Sequence, residues 1–175
     1  KELVSLCSEL GGKQLIFGSP KNRSLNGQSY EKCLLQTVED FHEIAEHGKK
    51  KKVYFCIEPL GKNYTDFMIS VEEGGKLVRR INHPYFKLHL DTKTLFYTKE
   101  HTNGAIESYG DLIQHVHVSD DDLNQPGTIN KDHKIISNYL KKIDYNKYLS
   151  IEMKKNSLKS LKNGIKFVKN TYISQ

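Results

Sequence analysis

Short apolar or alternating segments recur five times along this chain, and each is followed by apolar residues at helical spacing. The predicted strands span residues 14–18, 53–58, 85–91, 113–119 and 148–152. The helical patterns after them lie within residues 30–45, 70–81, 105–112, 135–140 and 158–168, and another covers residues 3–10. Strands that alternate with helices predict a parallel sheet with right-handed crossovers. A doubly wound open sheet and part of a barrel would both fit.

Three features favour the barrel. No glycine-rich phosphate loop follows a predicted strand, although nucleotide-binding sheets require one. The strand ends carry carboxylates and a histidine, where barrels assemble their active sites. The chain opens on a helical pattern and has 175 residues, whereas a complete barrel has about 250. We therefore expect one α/β domain over residues 1–175, the C-terminal five βα units of a (β/α)8 TIM barrel without the first three.

Composition is typical of a soluble globular protein, with 37% hydrophobic and 27% charged residues. No apolar run is long enough to cross a bilayer, so we expect no membrane association. The cysteines Cys7, Cys33 and Cys56 are odd in number and irregular in spacing. They predict neither a disulfide framework nor a cysteine-based zinc site, and a reducing cytoplasm is the expected compartment.

The net charge of +6 comes largely from lysines at the end of one helical pattern, residues 49–52, and around the apolar stripe of the last. No arginine-rich or aromatic-interleaved stretch accompanies them, so nucleic acid is not an expected partner. The two outermost strands of a partial barrel would be exposed sheet edges. Such edges invite pairing between chains, so a homo-oligomer is compatible with the sequence.

In the four later strands, aliphatic residues alternate with polar ones, which gives each strand one apolar and one polar face. Polar groups inside a barrel are costly unless they pair or bind a ligand. Four strand ends carry a ligand-type side chain: Glu58, Asp91, His117 and Glu152. Because adjacent strands lie about 4.8 Å apart, these groups should surround one small volume.

Three carboxylates and an imidazole would repel one another without a cation. Such oxygen-rich ligands with one nitrogen suit one divalent ion, Mn²⁺, Mg²⁺ or Co²⁺, with Zn²⁺ as an alternative. Taken singly, each residue also has a structural interpretation, such as a helix cap or an exposed carboxylate. We interpret His89 and His115 as hydrogen-bonded core histidines, and the acidic run 120–122 as a solvated loop.

At these residues the sequence resembles the xylose-isomerase-like TIM barrels, the AP endonuclease family 2 type. The resemblance rests on four strand-end motifs, Cys56–Leu60, His89–Thr92, His115–Asp120 and Ser150–Glu152. Residues 18–23 also resemble the strand-four loop of the sugar phosphate isomerase/epimerase branch. The superfamily includes ketose 3-epimerases, hydroxypyruvate isomerase and abasic-site nucleases of the endonuclease IV type.

The resemblance implies that the four strand-end residues are the metal ligands of a sugar or sugar phosphate isomerase/epimerase. It further implies that Glu58 and Glu152 are catalytic, flank the substrate and exchange its proton. The chemistry is consistent, because a cation holding two ketose oxygens acidifies the intervening C–H and stabilises an enediolate. Arg23 or Lys21 could bind a phosphate or carboxylate, and an ordinary surface charge would fit equally well.

Two positions depart from the ketose epimerases. Thr94 stands where they commonly carry a histidine, and Leu123 stands where they carry an arginine. The sugar and its phosphorylation therefore stay open. The first alternative function is an abasic-site DNA nuclease with a three-metal cluster, which would need additional histidines, one of them at Thr94. The second is a barrel fragment without catalytic activity, acting as a binding module.

Overall fold

The computed structural model describes residues 1–173. Its strands form one five-stranded parallel sheet whose order follows the sequence. They are β1 Gln14–Phe17, β2 Tyr54–Ile57, β3 Phe86–Asp91, β4 Ile113–Val118 and β5 Leu149–Ile151. The predicted alternation of strand and helix is confirmed, and β1 and β5 are the edges of the sheet among the described residues.

The helices fall between the strands as the periodicity predicts, with one addition. They are α1 Glu2–Glu9, α2 Tyr30–Lys51, α3 Val71–Ile81, α4 Thr92–Thr98, α5 Ala105–Ser108, α6 His133–Lys142 and α7 Leu158–Val168. The short α4 was not predicted, and the pattern at 105–112 is divided between α5 and a 3₁₀ turn, Gly110–Leu112. None of the helices within residues 1–173 combines the length and apolarity needed to cross a bilayer.

Residues 1–89 and 112–114 form one compact unit. In this unit the half-buried aromatic ring of Phe41 from α2 packs edge-on against Phe17 and Phe55, with ring centroids 5.4 and 5.2 Å apart. The N-terminus of α3 is capped by Ser70, whose hydroxyl accepts the amide of Glu73. The Glu73 carboxylate accepts the Ile69 amide in return, so two otherwise unsatisfied donors are paired.

Residues 90–111 and 115–173 form a second compact unit. Near its start, the Thr92 hydroxyl donates to the carbonyl of Ser119 and accepts the Ser119 amide, at 2.7 and 2.9 Å. Farther along, the imidazole Nδ1 of His133 in α6 lies 2.7 Å from the Tyr172 hydroxyl. The first of these hydrogen-bonded contacts joins the ends of β3 and β4, and the second fastens the turn Lys169–Ile173 to α6.

We expect the buried His133 to make the protein acid-sensitive. Burial lowers the pKa of its imidazole from 6.5 to about 4, although Asp120 and Asp132 oppose the shift. Between these values the unfolded chain binds a proton that the folded chain does not, so the free energy of unfolding falls as pH falls from 6.5 towards 4. The full contribution is about 3 kcal/mol. Urea denaturation of H133N across this range should show a flatter pH dependence than the unmodified protein.

The matched variant for this experiment is Y172F, which removes the hydroxyl partner of His133 but keeps the imidazole. It should lower the free energy of unfolding at every pH and retain the slope between pH 4 and 6.5. An unchanged slope in H133N would assign the acid sensitivity to other groups.

Candidate metal centre

The C-terminal ends of β3, β4 and β5 carry three of the predicted site residues. Asp91 is the last residue of β3, His117 is the penultimate residue of β4, and Glu152 follows β5 directly. Strands β4 and β5 pair His117 with Ser150, and the Glu152 amide donates to the Val118 carbonyl at 3.1 Å. This register places the Glu152 side chain beside that of His117.

The side chains of Asp91, His117 and Glu152 converge. Each offers one ligand atom, and these atoms all lie within 4.8 Å of one another. His117 Nδ1 and Glu152 Oε2 are 3.7 Å apart. That separation is longer than a hydrogen bond, so the pair is an electrostatic contact. Two carboxylates and an imidazole at such distances form a compact set of oxygen and nitrogen donors.

Asp91 is almost completely buried, with 2% of its surface exposed. Its Oδ1 accepts the Lys93 amide at 2.9 Å and the hydroxyl of Ser119, and its Oδ2 lies 3.3 Å from the Lys93 ammonium. Burial raises the pKa of the Asp91 carboxyl, whereas Lys93 and Ser119 oppose that rise. The carboxylate is therefore held in place by neighbouring groups at a cost in desolvation.

Glu152 lies in a different electrostatic setting. The imidazole of His117 lowers the pKa of the Glu152 carboxyl, and burial acts in the opposite direction. Neither Asp91 Oδ2 nor Glu152 Oε2 accepts a hydrogen bond from the described residues. Buried carboxylate oxygens in that condition fit a cation, since a divalent metal supplies the compensation that hydrogen-bond donors do not.

Glu58 follows β2 in the first unit and is 7% exposed. Its amide donates to the Phe17 carbonyl at 3.2 Å, and its Oε1 lies 4.0 Å from Nε2 of His89, a residue of β3. A Cβ atom at Gly18 would lie only 1.9 Å from Glu58 Oε2. Glycine at that position therefore leaves room for the carboxylate.

The two loop cations differ in their surroundings. Lys21 is exposed in the 3₁₀ turn Pro20–Asn22. Arg23 is only 6% exposed, and its Nη1 and Nη2 donate to the carbonyls of Glu58 and Phe17. Burial lowers the pKa of its guanidinium to about 10, and Glu58 opposes the shift. The sequence analysis did not foresee these contacts of Arg23, and the substrate contact predicted for Arg23 or Lys21 stays a prediction.

The sequence analysis also interpreted His115 and the acidic run 120–122; the first interpretation is confirmed and the second is corrected. His115 is buried, with Nε2 2.9 Å from the Ser150 hydroxyl, and burial lowers the pKa of its imidazole to about 4. It is the hydrogen-bonded core histidine that was predicted. The acidic run is not uniformly solvated, because Asp120 is fully buried. Its carboxylate accepts the amides of Ile129 and Asn130 at 2.9 and 3.0 Å, which anchors the loop after β4.

Comparison with known proteins agrees with this architecture. The sequence model of the xylose isomerase-like TIM barrel family matches residues 1–171. The chain therefore belongs to the xylose isomerase-like TIM barrel family. The predicted fold, an α/β partial barrel, is confirmed by its likeness to solved barrels.

Among those structures, D-psicose 3-epimerase from Clostridium cellulolyticum H10 with D-tagatose superposes with a TM-score of 0.84 at 17% identity, covering 98% of this chain and 68% of that one. AP endonuclease, family 2, from Brucella melitensis gives 0.78 at 16% identity, covering 98% and 66%. In sequence, D-psicose 3-epimerase from Ruminiclostridium cellulolyticum is 27% identical over 92 residues, which are 53% of this chain and 31% of that relative. The chain thus matches about a third of this curated relative.

Proposed function

We propose that the protein is a divalent-metal-dependent isomerase or epimerase that moves a proton on a sugar or sugar phosphate through an enediolate. The observation that carries the proposal is the convergence of Asp91, His117 and Glu152, whose ligand atoms lie within 4.8 Å of one another. The similarity to D-psicose 3-epimerase over half of the chain supports the sugar as substrate class.

We assign these three residues as metal ligands, with Glu58 as the fourth. Glu58 follows β2, the strand paired with β3, and its carboxylate approaches His89, two residues before Asp91. The ion would be Mn²⁺, Mg²⁺ or Co²⁺, with Zn²⁺ as the alternative, since carboxylates outnumber the single imidazole. When bound, it would polarise the oxygens of the sugar and acidify the C–H bond between them.

In this proposal Glu58 and Glu152 carry the proton. One carboxylate removes it from the acidified carbon and the other returns a proton, which inverts the carbon when they act from opposite faces. Their strands are second and fifth in the sheet order, with the strands of Asp91 and His117 between them. Arg23 or Lys21 is the candidate for contacting a phosphate or carboxylate group of the substrate.

We also propose a single domain, a cytoplasmic location, and no nucleic acid or membrane partner. Association between copies through the sheet edges β1 and β5 would fit, because edge strands present unpaired backbone groups. The sugar itself stays open, since Thr94 and Leu123 replace two side chains that the ketose epimerases commonly carry.

One bound metal ion per chain is expected, because Thr94 offers no ligand for a larger cluster. Thr94 is 2% exposed, and its carbonyl accepts the hydroxyl of Thr98, the last residue of α4. Elemental analysis of the protein as its gene encodes it, after incubation with Mn²⁺ or Zn²⁺ and removal of free ion, should give a ratio near one. A ratio near three zinc ions would contradict the epimerase proposal and favour an abasic-site nuclease, whose DNA binding would then weaken steeply with salt.

A further inference from the structure

Arg23 is a buried charged side chain that contacts the ends of two neighbouring strands. Its guanidinium donates from Nη1 to the Glu58 carbonyl and from Nη2 to the Phe17 carbonyl. Its Cζ also lies 5.0 Å from the centre of the Phe17 ring. A buried cation is costly unless it is paired, so these contacts identify a specific structural use for the charge.

The two accepting carbonyls lie where the sheet ends. Phe17 is the last residue of β1 and pairs with Ile57, the last residue of β2, and Glu58 is the first residue beyond that pair. The Glu58 amide still donates to the Phe17 carbonyl, so the strands are hydrogen-bonded up to this residue. Arg23 binds the next backbone group, the Glu58 carbonyl that precedes Pro59. The planar fork of an arginine reaches two acceptors at once, whereas the ammonium of a lysine acts as a single point charge.

Two further hydrogen bonds hold the backbone at and just after Arg23. Its own carbonyl accepts the Thr65 hydroxyl at 3.4 Å, and the Leu25 amide donates to Asp66 at 2.8 Å. The loop after β1 is therefore fastened to the loop after β2. Gly18, in the same loop, leaves the space that the Glu58 carboxylate occupies.

We propose that Arg23 is a positioning residue for Glu58, fixing the backbone that carries this carboxylate. This inference rests on the proposed role of Glu58 as a ligand and base. Arg23 binds the backbone carbonyl of Glu58, and the absence of a side chain at Gly18 leaves room for the Glu58 carboxylate.

The experiment compares R23M, R23K and F41L with the unmodified protein as its gene encodes it. F41L is the matched control, because it loosens the packing on β1 and β2 without touching the carbonyls. Mn²⁺ affinity is measured by titration calorimetry, the melting temperature without metal by circular dichroism, and amide hydrogen exchange at residue 58 by mass spectrometry.

R23M should weaken Mn²⁺ binding by about 10- to 100-fold, the usual cost of losing a residue that orients a metal ligand. R23K should recover only part of that loss, because one ammonium cannot replace the fork. F41L should lower the melting temperature and keep the Mn²⁺ affinity within about twofold, since its neighbours are apolar. Exchange of the Glu58 amide should rise in R23M more than in F41L.

Equal Mn²⁺ affinity in folded R23M and the unmodified protein would overturn the positioning role. If the unmodified protein bound no Mn²⁺, the proposed function would fail instead. The exchange data would then decide whether Arg23 holds the Phe17 carbonyl, the group that also accepts the Glu58 amide. Unchanged exchange at that amide would then refute the inference. If R23M failed to fold, R23K would supply the same comparison.

Discussion

Replacing Glu152 by glutamine is expected to abolish exchange of the substrate C–H proton with solvent. An amide cannot accept that proton, and loss of a general base typically lowers turnover by about 10²- to 10⁴-fold. The same loss is expected for E58Q, because the proposed mechanism needs a carboxylate on each face. The fold and part of the metal affinity should persist, since the amide oxygen has the size and position of the carboxylate oxygen.

The measurement is turnover of a ketose in D₂O, with deuterium incorporation followed by NMR. E72Q serves as the control, because Glu72 is an exposed residue at the start of α3. It should behave like the unmodified protein. Full isomerisation by E152Q with normal solvent exchange would reduce Glu152 to a ligand and remove the two-carboxylate mechanism.

D91N should also lose activity, but for a different reason: the variant should no longer hold the metal ion. The Asp91 carboxylate is buried, and Asn keeps its shape but removes the negative charge that attracts the ion. We expect the dissociation constant for Mn²⁺ to rise by at least about 100-fold, the upper range for losing a residue that merely orients a ligand. Saturating Mn²⁺ should restore part of the activity, which no excess of ion should do for E152Q.

Two measurements distinguish loss of the metal from loss of the base. They are calorimetric titration of D91N with Mn²⁺ and turnover at increasing Mn²⁺ concentration. The control is D121N, which alters an exposed carboxylate in the loop after β4 and should leave the affinity unchanged. Mn²⁺ affinity in D91N equal to that of the unmodified protein would remove Asp91 from the ligand set.

Much of this fold could be predicted because alternation and helical spacing are local properties of a sequence. The segment 85–91 was expected as a strand, and β3 spans Phe86–Asp91. The short α4 escaped prediction, since three of its seven residues are threonines of modest helix propensity. Its first turn is stabilised instead by Asp91, whose carboxylate accepts the Lys93 amide.

What could not be predicted depends on contacts between distant residues. Asp120 is buried because the chain returns and presents two amides to its carboxylate. Nothing in three consecutive aspartates distinguishes that residue from its exposed neighbours. The structural use of Arg23 could have been inferred from the sequence, although the indication is weak. It is one of only three arginines in a chain rich in lysine, which suggests that its planar fork is needed.

The paired hydrogen bonds between Thr92 and Ser119 affect how far the Asp91 side chain must be immobilised when a metal ion binds. A single hydroxyl satisfies both backbone groups of Ser119, and Ser119 in turn donates to Asp91. The conformational entropy of this carboxylate is thus lost when the chain folds, not when the ion arrives. Affinity at such a preorganised position depends on charge and fit. Valine at residue 92 would fill the same space as threonine. It has no hydroxyl to hold Ser119, so the Asp91 carboxylate would no longer be preorganised.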